Sequence, residues 1–105
     1  MSVPDFDTFA AAAFGRGYDE VVPRVWNSGA DIAPHRHDFA VHGLVVAGEM
    51  WLTQSGQTVH LRPGDTFELD RGALHAERYG LESATYSAAR RTRPRKATES
   101  GFFGT

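Results

Sequence analysis

Residues 29–43 read GADIAPHRHDFAVHG and contain His35, His37 and His42, three of the five histidines in the chain. His35 and His37 stand two residues apart, and alternate side chains of a β-strand point to the same face. His42 lies five residues beyond His37, so on a straight strand it would point away. A turn or bulge near residues 38–39 would return the His42 side chain to the face of His35 and His37. The stretch is either a ligand set or a group of surface histidines around a turn.

A second stretch, GDTFELDRGALHAERY at residues 64–79, carries a further histidine, His75. Gly72 precedes it in a short predicted loop. Glu77 and Tyr79 follow at two-residue spacing, and strand alternation places them on the same face as His75. Both are therefore candidate partners of that histidine.

The chain from Tyr18 onward has the pattern of many short strands. Gly and Pro recur at short intervals, and between them lie runs rich in β-branched and aromatic residues: VVPRVW, LVVAGEMWLT, TVHL, DTFEL, HAERY and ATYSAA. SGQ at residues 55–57 and RPGD at residues 62–65 are typical of tight turns. Such regularly spaced strands predict an all-β sandwich or barrel.

The first residues predict one short helix, over residues 4–14. Asp5 or Asp7 would cap it, and Gly15 or Gly17 would end it. A helix of about three turns is not stable alone, so it needs a surface to pack on.

The chain divides into an N-terminal helical segment (1–17), a β-barrel (18–90) and a basic C-terminal tail (91–105). The tail is interpreted as a solvated strip. Phe102 and Phe103 within it could dock on a second subunit, and together with the helix they favour a homodimer.

Composition excludes several classes of function. The 105 residues contain no cysteine, which excludes disulfides, thiolate metal sites and a cysteine nucleophile. A net charge of −2 gives no reason to expect nucleic-acid or membrane binding. The N-terminus lacks the basic start and long apolar run of a signal peptide, so a cytoplasmic protein is expected.

The two histidine stretches resemble the two motifs of the cupin superfamily. In the first motif, Gly29, His35 and His37 match; His42 stands where the family has a glutamate, and Gly48 comes one residue early. In the second motif, three residues match in register, while aspartate replaces a proline and tyrosine replaces an asparagine. The matching residues are Gly64, Gly72 and His75, and the replacements are Asp70 and Tyr79.

This resemblance implies a small antiparallel β-barrel of the jelly-roll (double-stranded β-helix) type with a metal site inside. It implies His35, His37, His42 and His75 as ligands of a divalent transition metal: Fe, Mn, Ni, Zn or Cu. A histidine in place of the usual glutamate removes one negative charge from the site. Two alternatives stay open: a barrel without metal, and a pocket-lining His42 with Glu77 as the carboxylate, either as a ligand or as a group that orients a histidine.

The remaining candidates follow from alternation. If His42 faces the interior, so do Leu44, Val46, Met50 and Leu52, and Phe39, Phe67 and Leu69 add apolar walls. Such a pocket suits a small substrate with an apolar part and one or two oxygens. Tyr79 is expected at the pocket or in the core, and His60 at the surface. Asp65 is expected to accept backbone N–H bonds in its turn, and Trp26 and Trp51 to pack or form an interface.

Three functions are compatible with these features. The first is a metal-dependent dioxygenase, isomerase or related lyase acting on a small oxygenated molecule, with Glu77 or Tyr79 as the available acid–base group. The second is a module that binds or senses a small molecule. The third is a metal-stabilised structural protein without a substrate, since a fold alone does not choose a function.

Overall fold

The computed structural model describes residues 3–92, which form one helix and eight strands. The helix α1 spans Phe6–Gly15, close to the predicted range. The strands are β1 Glu20–Trp26, β2 Asp31–His35, β3 Ala40–Ala47, β4 Met50–Gln54, β5 Gln57–Leu61, β6 Thr66–Leu69, β7 His75–Tyr79 and β8 Ala84–Arg91. The prediction for Phe102 and Phe103 concerns residues outside the described part of the chain.

The strands form two four-stranded antiparallel sheets, in the orders β1-β8-β3-β6 and β2-β7-β4-β5. This is the all-β jelly-roll architecture that the sequence predicts. The predicted closed barrel is corrected to a sandwich, because no ladder of hydrogen bonds joins the two sheets within residues 3–92. The sheets are held by side chains between their inner faces, as in other sandwiches.

Alternation along β3 decides which of its side chains enter the core. Val41 and Val45 are buried in the main core, whereas His42 and Leu44 lie on the outer face under the helix. The prediction that Leu44 and Val46 line the pocket is therefore wrong: Leu44 faces the helix, and Val46 is 37% exposed. Met50 and Leu52 are buried in the main core.

Helix α1 covers the outer face of the first sheet. The carboxylate of Asp5 caps its first turn, accepting a hydrogen bond from the Thr8 N–H at 2.8 Å. Its apolar side packs Phe9 and Ala13 in a second buried cluster, with Tyr18 as a neighbour. This is the packing surface that so short a helix needs.

The two predicted tight turns join strands that are consecutive in the chain: β4 to β5 within one sheet, and β5 to β6 across the two sheets. Ser55 and Gly56 both have positive φ, as a two-residue hairpin loop of the I′ kind requires. Gly64 also has positive φ (96°), and the Asp65 carboxylate accepts the backbone N–H of Arg62 at 2.8 Å, as predicted. No helix in residues 3–92 is long and apolar enough to span a membrane.

Candidate metal centre

Three of the predicted ligands meet between the two sheets. Candidate ligand atoms of His35, His37 and His75 all lie within 4.8 Å of one another. The ring centroids of His35 and His75 are 4.3 Å apart. The His37 centroid lies 4.9 Å from that of His35 and 5.0 Å from that of His75. His35 ends β2 and His75 begins β7, and these two residues are register partners, so strand pairing itself brings them together.

The backbone fixes which ring nitrogen of two histidines faces the site. His35 Nδ1 donates to the Ala33 carbonyl at 2.8 Å, and His75 Nδ1 donates to the Ala73 carbonyl at 3.0 Å. A carbonyl oxygen only accepts, so Nδ1 carries the proton in both rings and Nε2 keeps its lone pair. This backbone contact from the second ring nitrogen is the usual way in which proteins orient a metal-binding imidazole.

The carboxylate of Glu77 lies beside these lone pairs. Its Oε2 is 3.3 Å from His75 Nε2 and 3.7 Å from His35 Nε2, and the residue is buried. Two ligands about 2.1 Å from one ion are separated by about 3.0 Å at a right angle and about 3.4 Å at a tetrahedral angle. The 3.3 Å between Glu77 Oε2 and His75 Nε2 therefore lies in the range expected for two ligands of one ion.

The donor set fits a transition metal. His75 Nε2 is buried and has no hydrogen-bond partner within residues 3–92, an arrangement that is costly unless another ligand takes the lone pair. Burial and the neighbouring His75 and His35 lower the pKa of His37, so its neutral form is favoured. Neutral imidazoles with one carboxylate suit Zn, Fe, Ni, Cu and Mn.

The structure does not bring His42 to this group. It lies on the outer face of β3, stacked between Phe9 (5.4 Å) and Tyr18 (5.9 Å), with Arg16 and Glu68 beside its two ring nitrogens. The chain does bend at residues 38–39, but that bend leaves Val41 facing inward and His42 outward. The structure thus brings together three of the four predicted histidines, with Glu77 next to them.

A cavity of about 120 Å³ adjoins the three histidines and Glu77. Apolar side chains form most of its wall, among them the predicted Phe39, Phe67 and Leu69, together with Trp26, Ile32, Val41, Tyr86 and Ala88. Trp26, predicted only to pack or form an interface, lines the cavity, and its indole N–H donates to the Tyr86 hydroxyl at 3.0 Å. Arg24 and Arg90 also line it. The sequence interpretation missed both arginines, although alternation along β1 and β8 would have placed each on the inner face.

The family model for the cupin domain matches residues 24–79, slightly more than half of the chain. The chain belongs to the cupin family. The match includes the histidines of both sequence motifs and Glu77. No curated protein matches the chain.

Solved structures share the same cupin fold. KdgF from Halomonas is 25% identical with a TM-score of 0.60, covering 70% of this chain and 68% of its own. A double-stranded β-helix protein from Klebsiella pneumoniae is 27% identical with a TM-score of 0.60, covering 69% of this chain and 65% of its own. The DMSP lyase DddQ from Ruegeria pomeroyi is 22% identical with a TM-score of 0.64, and the match covers 73% of this chain but 40% of DddQ. At that identity DddQ supports the fold alone.

In this cupin, a second layer of polar groups supports Glu77. The Tyr79 hydroxyl donates a hydrogen bond to Glu77 Oε1, and the Tyr79 ring stacks on Trp26 at 5.7 Å. Burial strongly raises the pKa of Tyr79, and burial also raises the pKa of Tyr86. Both phenols therefore keep their protons at neutral pH.

The remaining predicted positions lie outside the cupin cavity. His60 is on the outer face of the second sheet, half-buried, where it stacks on Trp51 at 4.5 Å and contacts Glu49 at 2.6 Å. The guanidinium of Arg78 also lies over the Trp51 ring, 4.3 Å from its centroid. These contacts explain His60 and Trp51 as packing residues, close to the roles that the sequence predicts.

Proposed function

We propose that this cupin binds one divalent transition metal through His35, His37, His75 and Glu77, and that it is an enzyme acting on a small oxygenated molecule. The observation that carries the proposal is the buried lone pair of His75 Nε2, which has no hydrogen-bond partner among the described residues and lies 3.3 Å from Glu77 Oε2. With a neutral His75 ring, two acceptor atoms facing each other at this distance are unfavourable, and a cation between them satisfies both.

The residues around the site would bind and orient a substrate. When bound, a divalent metal polarises a substrate oxygen and acidifies neighbouring C–H or O–H groups. The Tyr79 hydroxyl donates to Glu77 Oε1 and so fixes the carboxylate beside the histidines. The apolar wall excludes water from a substrate in the cavity. This arrangement is compatible with dioxygenase, isomerase and lyase chemistry.

The ligand set is tested by metal content. Protein purified without added metal is expected to contain about one transition-metal ion per chain by plasma mass spectrometry. His75→Ala should lower that occupancy by about tenfold or more, because it removes the central ligand. His42→Ala is the matched control and should leave occupancy unchanged. Equal losses in both variants would contradict the proposed set.

Activity separates the enzyme from its alternatives. Turnover of a small oxygenated compound that disappears in His75→Ala supports the enzyme. Tight binding without turnover supports a sensing module, and a zinc ion closed to added ligands supports a structural role.

We also propose a homodimer, as the sequence predicts. The first strands of both sheets, β1 and β2, and the last ones, β5 and β6, are free edges of the described sandwich, and free edges favour pairing with a second chain. Light scattering of the purified protein measures the mass, and a monomer at micromolar concentration would contradict the dimer.

A further inference from the structure

Two arginines face the cavity from the sheet opposite β7. Arg24 lies on β1 and Arg90 on β8, and both line the same space as His35, His37 and Glu77. Each lies near an aromatic ring: Arg24 is 5.3 Å from the Trp26 ring, and Arg90 is 5.1 Å from the Phe39 ring. The cavity therefore has a cationic side as well as the candidate metal centre.

The two arginines differ in their partners. Arg90 forms an ion pair with Glu20 at 3.3 Å. The side chain of Arg24 takes part in none of the ion pairs or hydrogen bonds within residues 3–92, although it is half-buried. A guanidinium that is partly removed from water without a carboxylate beside it loses hydration, which its contact with the Trp26 ring replaces only in part. An anion in the cavity would restore that loss.

We propose that the molecule bound in this cavity carries a carboxylate, and that Arg24 is the residue that binds it. The planar guanidinium offers two parallel N–H donors to the two oxygens of a carboxylate. Arg90 is paired with Glu20 and Glu77 is assigned to the metal, so Arg24 is the cation of the cavity without a paired carboxylate, and one such cation matches a singly charged acid. A cavity of about 120 Å³ lies well below the volumes typical of drug-sized ligands, so the carboxylate belongs to a small acid.

This inference deepens the proposed function by naming the substrate class of the same cavity, and it depends on that function only for the choice of cavity. The carboxylate at Arg24 leaves another oxygen of the same acid free to face His35, His37 and Glu77. Arg24 is thus assigned substrate selection, whereas the histidines are assigned the metal.

The test compares acids with their neutral amides of equal size. The probes are acetate, butanoate and lactate against acetamide, butanamide and lactamide, titrated by NMR into protein treated with a chelator and into zinc-loaded protein. At least one acid should bind about tenfold or more tightly than its amide in both forms, since a hydrogen-bonded ion pair is worth that much. Absence of any such preference in the chelator-treated protein overturns the inference and needs no variant.

Two substitutions locate the preference. Arg24→Met should reduce the acid-to-amide ratio to about one while metal content stays at the wild-type level. Arg62→Met removes the same charge from an exposed turn outside this cavity and should leave the ratio unchanged. A preference that survives Arg24→Met and vanishes on metal removal would mean that the metal alone binds the carboxylate, and would overturn the role of Arg24. Loss of metal binding with the Arg24-dependent preference intact would instead contradict the proposed function.

Discussion

At the scale of single residues, Gly43 shows how one missing side chain shapes the cavity. The Phe67 ring lies across this glycine, and a Cβ added there would come within 2.2 Å of the ring. Gly43→Ala should therefore push Phe67 towards the cavity and cost about 1–3 kcal/mol of unfolding free energy, the usual range for overpacking. Urea unfolding measures the loss.

Two further variants give this prediction its controls. Gly15→Ala adds a methyl group to the end of α1 where nothing lies within 4 Å, so stability should stay the same or rise by up to about 1 kcal/mol. Adding Phe67→Leu to Gly43→Ala should recover part of the loss, because the smaller side chain no longer meets the new methyl group. Additive effects of the two substitutions would show that the contact does not cause the loss.

The spacing of residues in the sequence predicts part of the site, and the strand face on which each side chain lies explains the rest. His35, His37 and His75 come together as the motif spacing predicts, and Glu77 follows His75 at the two-residue interval that keeps it on the same face. His42 was assigned by its motif position, but β3 turns it outward. Spacing along a chain counts residues, whereas the face of a strand depends on where pairing starts, and a shift of one residue reverses it.

At the scale of elements, we expect the docking of α1 to depend on the protonation of His42. Its ring lies between Phe9 of the helix and Tyr18, and the charged groups facing it are Arg16, 3.4 Å from Nε2, and Glu68, 3.8 Å from Nδ1. A guanidinium only donates, so its contact with Nε2 requires the neutral ring. Burial, and after it Arg16, lowers the pKa of His42, while Glu68 raises it.

The sign of the pH effect follows from that lowered pKa. The unfolded chain binds a proton at His42 near the ordinary pKa of about 6.5, and the folded chain only at lower pH. Protonation of His42 in the unfolded chain therefore lowers the free energy of unfolding as the pH falls below about 6.5 towards the pKa of the folded state. With metal removed, wild-type protein should lose more unfolding free energy between pH 7.5 and 5.5 than His42→Leu does.

Comparison with this variant removes the contribution of the other histidines, because they are present in both proteins. Amide hydrogen exchange in α1 should also quicken on acidification in the wild-type protein more than in His42→Leu. Identical pH dependence of the two proteins would mean that His42 does not govern the docking of the helix.

At the scale of the whole molecule, local sequence signals predict the strands but not whether the two sheets close into a barrel. Turn residues and alternation predict an all-β fold, the helix, and hairpins such as residues 50–61, since each depends on neighbours in the chain. Whether two sheets close into a barrel depends on hydrogen bonds between distant edges, and no local pattern encodes those. The arginines of the cavity were missed for another reason: alternation along β1 and β8 gives their face, but both lie outside the two histidine motifs.

A metal at the proposed site would link three parts of the chain. His35 ends β2 and His75 begins β7, both in the second sheet, and His37 lies in the segment that leads from β2 to β3 of the first sheet. A metal that binds only the folded arrangement stabilises it by about 2.7 kcal/mol at a hundred times its dissociation constant. For a domain of this size, that is a rise in Tm of roughly 10–20 °C.

Calorimetry of chelator-treated protein with and without added zinc measures this rise. It should be absent in His75→Ala and retained in His42→Ala, because only the former loses a ligand. It should also disappear on acidification, since protonated imidazoles do not bind metal. An equal rise in His75→Ala would mean that zinc stabilises the protein somewhere other than between its two sheets.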